Sequence, residues 1–354
     1  MMAMTPNFSG FLRERIYTIF DKEQSLKLLP ELCLNLLSQQ KNTWPDCRQG
    51  YASLESIKVR EIACNGFSVR IQHNPGRIKS TLADVREKKI NERPCFLCLS
   101  NLPEEQKGVF YKNTYLILCN PAPVSPSHFT ICDKNHNPQL ISEHINAFLR
   151  FMVDFGEGWT MLYNGPKCGA SAPDHLHFQA IPSGQMPVEK EVKEMERFVE
   201  IRHIDSVLFS RISNIGREAL MLEGDNIMAL ASAFKGILSA MKRAFFADHC
   251  GHMLENLSGE PMINIIGLHN EGNLRLVVFP RAKHRPDVFF KEGNARVLIS
   301  PAVVEMGGII VTPAEKDFEC LDASAVEDIY REVSLDSKTV NKVIDYIAPG
   351  FNNL

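Results

Sequence analysis

The residue types that could do chemistry are concentrated in residues 164–182, which read NGPKCGASAPDHLHFQAIP. Polar and apolar residues alternate over residues 175–179, which predicts a strand with His175, His177 and Gln179 on one face. A turn of small residues, 168–171, precedes it, and such a turn lets backbone amides approach an anion closely. Two imidazoles and a carboxamide beside this turn indicate a phosphate-handling site. The simpler alternative is a strand whose histidines only satisfy buried hydrogen bonds.

The motif His-Leu-His-Phe-Gln, followed by small and apolar residues, resembles the transferase branch of the histidine-triad superfamily. That branch holds galactose-1-phosphate uridylyltransferases, diadenosine tetraphosphate phosphorylases and GDP-hexose phosphorylases. The segments GAS…HLHFQA and SPAVVEMGGIIV are most similar to the GDP-L-galactose and GDP-glucose phosphorylases. The chain departs from the family pattern at Ser171, which lies one residue further from His175 than the family spacing.

The resemblance implies a nucleotidyltransferase or phosphorylase that acts on a nucleoside diphosphate sugar, with a GDP-hexose favoured. His177 is then the nucleophile that forms a covalent nucleotidyl-histidine. Gln179 cannot titrate and can only hydrogen-bond phosphate oxygens, which favours transfer to phosphate or to a sugar 1-phosphate over hydrolysis. The alternatives are a dinucleotide phosphorylase of the diadenosine tetraphosphate type, a nucleotide-sugar hydrolase and a non-catalytic nucleotide-binding protein.

A second signal is the Cys-x-x-Cys of Cys95 and Cys98, whose thiolates could bind one metal ion. A redox pair is the alternative, although no thioredoxin-like βαβ pattern surrounds these residues. A closed zinc site needs four ligands, and His128, His136 and His175 are candidates for the other two. The uridylyltransferase pattern implies a structural zinc that orients the strand of the nucleophile. Its implied ligands are Cys95, Cys98, His136 and His175.

Further residues could bind phosphate or sugar. Arg77 ends a turn at residues 74–77, and the resemblance implies that this segment approaches the nucleotide, whereas turn chemistry alone is the alternative. The basic run at residues 281–285 directly follows a predicted strand and suits a sugar phosphate or free phosphate; a solvated loop is the alternative. Lys167 could equally be an exposed turn lysine. The candidates are Arg77, Asn164, Lys167, Gly169, Ala170, Ser171, Arg281 and His284.

The length and composition of the chain indicate its general class and exclude some kinds of partner. The 354 residues suit two domains or one large one, and 44% hydrophobic with 23% charged residues is typical of a globular protein. A net charge of −3 gives no reason to expect nucleic acid or an anionic membrane as a partner. No apolar run reaches the roughly 18–20 residues of a membrane span. Ten cysteines without a secretion signal indicate reduced thiols.

These limits lead us to expect a cytoplasmic protein that binds neither nucleic acid nor membrane. Its expected partners are a nucleotide sugar or dinucleotide, together with phosphate or a sugar 1-phosphate. Dimers are common in the superfamily, so the resemblance leaves a homodimer open.

The elements that position the motifs predict an α+β fold. Residues 1 to about 50 have largely helical spacing, and residues 138–154 predict an amphipathic helix. After residue 200 the chain repeats the strand–proline–basic pattern without a His-x-His. The resemblance implies two histidine-triad-like lobes, each an antiparallel sheet with packed helices. The predicted domains are an N-terminal helical segment (1–55), a catalytic lobe with the motif (56–200) and a second lobe without a nucleophile (201–354).

Overall fold

The computed structural model describes residues 10–21, 28–83, 87–248 and 259–347. The helices are α1 (Gly10–Arg15), α2 (Leu29–Thr43), α3 (Pro45–Ala52), α4 (Ile78–Thr81), α5 (Glu87–Asn91), α6 (Ile145–Phe155), α7 (Val188–Glu191), α8 (Ile227–Asp248), α9 (Val303–Met306), α10 (Glu315–Cys320), α11 (Ala323–Val333) and α12 (Ser337–Ile347). The strands are β1 (Ile16–Phe20), β2 (Lys58–Ala63), β3 (Ser68–His73), β4 (Gly108–Tyr111), β5 (Tyr115–Cys119), β6 (Phe129–Asp133), β7 (Trp159–Asn164), β8 (His177–Pro182), β9 (Phe198–Ile204), β10 (Val207–Ile212), β11 (Ala219–Gly224), β12 (Ile263–Asn270), β13 (Asn273–Pro280) and β14 (Ile309–Thr312).

An 11-stranded sheet contains the same arrangement of strands twice, in the order β1-β4-β5-β6-β8-β7-β12-β13-β11-β10-β9. Strands β4–β8 form the first lobe and strands β9–β13 the second lobe. Each has three sequential strands, then a long helix (α6 or α8), then two strands. The lobes meet where β7 pairs with β12 in antiparallel register, with Asn164 opposite Asn264. The predicted α+β class with two lobes is confirmed, and the domain boundaries at residues 55 and 200 stay predictions.

The two faces of this sheet have different surroundings. Alternation along β8 places Phe178 and Ala180 in the core formed with the long helices α6, α8 and α12. The opposite face carries His177, and further along β8 the side chain of Ile181 packs in a second core with β14 and α11. The candidate catalytic side chains therefore lie on the face away from the long helices.

A separate 3-stranded sheet brings the last part of the chain to the first lobe, in the order β14-β3-β2. Strand β14 pairs in parallel with β3, with Ile310 opposite Ile71. This pairing carries α9 and its flanking loops next to the first lobe. Residues far apart in the sequence consequently line one common space.

Two expectations about local structure are wrong. Residues 16–20, expected to be helical, form β1, because parallel pairing with β4 gives these β-branched residues a place in the sheet. The helix expected at residues 138–154 begins only at Ile145. The backbone N–H groups of Ile141 and Ser142 donate instead to the carboxylate of Glu260, each at 2.8 Å.

The central motif also starts its strand later than expected. Strand β8 begins at His177, so His175 lies before the strand and does not share its face. The parts of the predicted helical segment at residues 1–9 and 22–27, and the tail after residue 347, lie outside the described residues. Within the described part of the chain, no helix combines the length and the apolar character that crossing a bilayer requires.

Candidate active site

A cavity of about 820 Å³ lies against the first lobe, on the face away from the long helices. This volume is in the range of pockets that hold small molecules and cofactors. Eight of the sequence-predicted site residues line it, from both halves of the chain: Arg77, Asn164, Gly169, Ala170, Ser171, His177, Gln179 and His284.

His177 is held in one tautomer. Its Nδ1 lies 2.8 Å from the carbonyl oxygen of His175, and since a carbonyl only accepts, Nδ1 carries the hydrogen. The lone pair therefore resides on Nε2, for which the described residues offer no protein partner. Burial lowers the pKa of His177 to about 4, and the hydrogen bond to the carbonyl of His175 opposes this shift only in part. At neutral pH the side chain is a neutral imidazole with one nitrogen available for attack.

Gln139 fixes the backbone at the start of β8. Its Oε1 accepts a hydrogen bond from the backbone N–H of His177 at 2.7 Å. Its Nε2 donates to the carbonyl oxygens of Asn164 at 2.8 Å and of His177 at 3.0 Å. This fully buried glutamine was missed in the sequence, where it falls inside the predicted helix. Only its polar character beside apolar neighbours could have drawn attention to it.

Gln179 has its amide orientation set by His128. The backbone N–H of Val124 donates to Nδ1 of His128 at 3.4 Å, which leaves the hydrogen on Nε2. Nε2 then donates to Oε1 of Gln179 at 2.8 Å. Burial and the charge of Arg77 lower the pKa of His128 to about 3, so the pair stays neutral. The NH₂ group of Gln179 is thereby left for an acceptor in the cavity, such as a phosphate oxygen.

The predicted phosphate turn lies beside these residues. Gly169 has φ +105°, and a Cβ there would lie 2.4 Å from the Cβ of Ala302, so only glycine fits. Oδ1 of Asn164 accepts from Asn264 Nδ2 at 2.8 Å and from the backbone N–H of Val303 at 2.7 Å. These two donors leave the Nδ2 hydrogens of Asn164 for a ligand. The turn and this amide thus present donors to the cavity that also holds His177.

Cationic and titratable side chains line the rest of the cavity. Arg77 donates to the carbonyl oxygen of Ala122 at 2.7 Å. Nε2 of His284 lies 3.2 Å from Oγ of Ser300, and burial together with nearby arginines lowers the pKa of His284 to about 4. Arg285, from the basic run at residues 281–285, also lines the cavity. Three further lining cations were not singled out in the sequence, where nothing distinguishes them from solvated charges: Lys79, Lys89 and Arg93.

Two sequence-predicted phosphate ligands are not brought to the cavity. Lys167 is exposed on the turn and does not line it. Arg281 is only 1% exposed, and its guanidinium donates to the carbonyl oxygens of Val333, Pro301 and Lys283 at 2.9–3.1 Å. It also donates to Oδ1 of Asn264. The protein itself uses these donors, and Arg281 joins the second lobe to the Asn164–Asn264 pair.

The structure also assembles the four predicted metal ligands, Cys95, Cys98, His136 and His175. Their ligand atoms all lie within 4.8 Å of one another. Nδ1 of His136 is 3.1 Å from Sγ of Cys98, and Nδ1 of His175 is 3.4 Å from Sγ of Cys95. Two thiols and two imidazoles form a donor set that suits a tetrahedral metal such as zinc, so the cluster could bind a metal ion.

The contacts behind the ligands support this reading. Nε2 of His175 lies 2.8 Å from the carbonyl oxygen of Asp133 and so carries its hydrogen there, leaving Nδ1 for the metal. Nε2 of His136 lies 3.5 Å from Oδ2 of Asp174. His175 thus connects the two sites, because its ring belongs to the cluster while its carbonyl holds His177.

Comparison with known proteins gives two family matches within the chain. Residues 263–353 match the family model GDPGP1-like, C-terminal domain. Residues 36–182, which contain the motif, match Domain of unknown function (DUF4922). No curated protein matches the chain in sequence.

Solved structures show the same fold. The crystal structure of yeast Ap4A phosphorylase Apa2 is 14% identical, with a TM-score of 0.53 over 84% of this chain and 94% of that chain. The same yeast enzyme in complex with Ap4A gives 13% identity and a TM-score of 0.52 over 84% and 97% of the two chains. The chain thus shares the fold of these Ap4A phosphorylase structures, and its C-terminal part matches the GDPGP1-like domain. The fold that the resemblance to the transferase branch implies is thereby confirmed.

A more distant match carries no argument of its own. The ADP-glucose phosphorylase from Arabidopsis thaliana with bound ADP-glucose is 14% identical, over 79% of this chain and 100% of that chain, with a TM-score of 0.34. The GDPGP1-like match and the fold shared with Ap4A phosphorylase agree with the predicted class of nucleotidyltransferase or phosphorylase.

Proposed function

We propose that the chain transfers a nucleotidyl group from a nucleoside diphosphate sugar, with a GDP-hexose favoured, to phosphate or a sugar 1-phosphate. The observation that carries the proposal is the state of His177. Its Nδ1 is hydrogen-bonded to a carbonyl, its pKa is lowered to about 4, and its ring lines the cavity with no partner for Nε2 among the described residues. A histidine that only supported the fold would have both nitrogens satisfied.

In the first half-reaction Nε2 of His177 attacks the α-phosphorus of the donor. The P–N bond forms as the bond from phosphorus to the bridging oxygen breaks, and sugar 1-phosphate leaves with the bonding electrons. In the second half-reaction an oxygen of the acceptor phosphate attacks the same phosphorus. The P–O bond forms, the P–N bond breaks, and His177 returns to its neutral state.

The surrounding donors neutralise charge on the α-phosphoryl group. The NH₂ group of Gln179, oriented by His128, and the Nδ2 group of Asn164 donate to its oxygens, with the amides of the glycine turn. Arg77, which also lines the cavity, supplies a positive charge. Because Gln179 can neither take a proton from water nor give one to a leaving alkoxide, the site favours phosphate groups as leaving group and acceptor.

We also propose that Cys95, Cys98, His136 and His175 hold a structural zinc ion. The support is their mutual distance, the hydrogen bond that fixes the imidazole of His175 and the contact between the imidazole of His136 and Asp174. The zinc would supply rigidity, since it holds the residue whose carbonyl orients His177. Free thiols at all nine described cysteines agree with a cytoplasmic location, and a homodimer stays a prediction.

A dinucleotide phosphorylase of the Ap4A type is the second candidate. The cavity is lined by Lys79, Lys89 and Arg285 in addition to Arg77. So many cations suit a phosphate chain longer than that of a nucleotide sugar. A hydrolase is less favoured, because Gln179 offers no titratable group beside His177.

The first experiment is intact-protein mass spectrometry after incubation without phosphate. The donors are ADP-, GDP- and UDP-sugars and diadenosine tetraphosphate, each with a His177→Ala variant as control. The expected result is a mass gain of one nucleoside monophosphate with one base, absent in the variant. A folded protein that forms no adduct with any donor would support the hydrolase or the binding protein instead.

A further inference from the structure

Arg93 was not among the predicted site residues, yet it lines the cavity beside the glycine turn. Its guanidinium lies over the ring of Phe96, 5.1 Å from the ring centroid. Its NH2 nitrogen donates to the carbonyl oxygen of Ser171 at 3.0 Å and lies 3.6 Å from Oδ1 of Asp174. These three contacts hold the planar guanidinium in one orientation.

The other terminal nitrogen of Arg93 has no such contact. NH1 is buried and has no hydrogen-bond partner in the described part of the chain. A buried charged donor without a partner is costly to the protein, and an anionic ligand in the cavity would satisfy it. The guanidinium is thus fixed through NH2 and the ring of Phe96, and NH1 is the donor that remains for a phosphate oxygen.

The turn at residues 168–171 places Arg93 next to the position that the α-phosphoryl group takes in the proposed mechanism. At one end of the turn, a Cβ on Gly169 would lie 3.4 Å from Oδ1 of Asn164, whose Nδ2 group donates to the α-phosphoryl group in the proposed mechanism. At the other end Ser171 accepts the hydrogen bond from Arg93. A second phosphate next to the first would therefore meet Arg93.

We propose that Arg93 is the anchor for the second phosphate, which is the phosphate of the leaving group in the first half-reaction and the acceptor phosphate in the second. The inference rests on the proposed function and deepens it. The two groups occupy one place because the acceptor must attack along the line on which the leaving group departed. Arg93 thereby selects an acceptor that carries a phosphate dianion over water.

The test separates anion binding from chemistry. Binding of inorganic phosphate and of glucose 1-phosphate is measured by isothermal titration calorimetry for the wild type, Arg93→Ala and Arg93→Lys. In parallel, protein carrying the nucleotidyl adduct is mixed with increasing phosphate, and loss of the adduct is followed by mass. We expect Arg93→Ala to raise the half-saturating phosphate concentration about 10- to 100-fold, while the adduct still forms.

Arg93→Lys keeps the charge but cannot hold Ser171 and a phosphate together, so we expect an intermediate loss. The matched control is Arg296→Ala. Its guanidinium also stacks at 5.1 Å, on Phe289, but does not line the cavity. Phosphate binding in this control should equal that of the wild type.

Two outcomes would overturn the role of Arg93: a wild type that binds neither inorganic phosphate nor glucose 1-phosphate, or an Arg93→Ala variant with unchanged dependence on both. If the wild type binds phosphate through Arg93 but never forms an adduct, the anchor stands and the proposed nucleotidyl transfer fails. If glucose 1-phosphate binds through Arg93 and inorganic phosphate does not, the acceptor is a sugar 1-phosphate.

Discussion

Strands β8 and β13 occupy corresponding places in the two lobes but carry opposite chemistry. Both end in a proline, Pro182 and Pro280, which pairs with the first residue of the adjacent strand. Counting back from each proline, Arg275 takes the place of His177, and Val277 takes the place of Gln179. The matched residues pack on the same face of the sheet.

The difference is in how the side chains are satisfied. In the second lobe Nε of Arg275 lies 2.8 Å from Oε2 of Glu223, and NH1 donates to the carbonyl oxygen of Val192. Val277 is fully buried in the core. In the first lobe His177 keeps one nitrogen unused. The second lobe thus supports the first lobe and contributes loops to the cavity. In the first lobe, by contrast, Nε2 of His177 has no partner among the described residues.

The largest effect should separate His177 from Arg275. His177→Ala removes the nucleophile, and we expect turnover to fall by roughly 10⁴-fold or more. Arg275→Ala removes only an internal ion pair, so we expect lower thermal stability with turnover within about threefold of the wild type. Steady-state kinetics and thermal melts of both variants measure this contrast. Comparable loss of turnover in the two variants would contradict the assignment of chemistry to the first lobe.

The metal cluster belongs to the first lobe as well, and its removal should be the next largest effect. Cys95→Ser should reduce bound zinc from about one per chain to near zero and lower the melting temperature by about 5–10 °C. We expect adduct formation to slow about 10- to 100-fold, because His175 no longer fixes His177. Metal analysis and melting curves measure these changes.

Cys64→Ser is the matched control, because Cys64 lies outside the cluster and is half-buried. It should keep the metal and the melting temperature of the wild type. Equal metal content in the two variants would exclude the cluster as the binding site.

Gln139 gives a third, smaller effect. Gln139→Ala leaves the backbone N–H of His177 and two carbonyls without partners, which should cost about 2–3 kcal/mol of stability. We expect turnover to fall about tenfold, since the nucleophile loses its support. Gln40→Ala is the control: Gln40 is also fully buried and joins backbone groups of Glu105 and Lys107, but it lies away from the cavity.

Similar destabilisation in both variants, with turnover lost only in Gln139→Ala, would establish a positioning role. Parallel losses of turnover would reduce that role to general stability.

Most residues of the first-lobe site could be predicted from the sequence, because their arrangement depends on local spacing. Alternation placed His177 and Gln179 on one face, and the resemblance supplied a ligand set whose members do come together. Gly169 follows the same logic, since its positive φ is a local property of the turn. These residues could be identified because each belongs to a short pattern.

Contacts between distant segments could not be identified in this way. Gln139 falls in an apolar stretch that suits a helix, and the helix starts later because Glu260, far along the chain, takes up the local N–H groups. Arg281 has the charge of a phosphate ligand, but the second lobe buries it against Asn264. The role proposed for Arg93 depends on its contact with the turn at Ser171, and this contact forms only in the folded chain.

The pH dependence of adduct formation is the smallest expected effect, because the lowered pKa of His177 leaves the rate at neutral pH unchanged. Burial lowers the pKa of His177 to about 4, so the folded imidazole stays neutral as the pH falls through the ordinary histidine range. We expect about nine-tenths of the neutral-pH rate at pH 5.5, with a decline only as the pH approaches 4. An imidazole with the ordinary pKa of about 6.5 would retain about one-tenth of the rate.

Single-turnover rates between pH 4.5 and 8 measure this dependence, with circular dichroism at each pH to establish that the protein is folded. A midpoint near 6.5 in folded protein would mean that His177 is solvated, and the contrast with the ion-paired Arg275 would lose its basis.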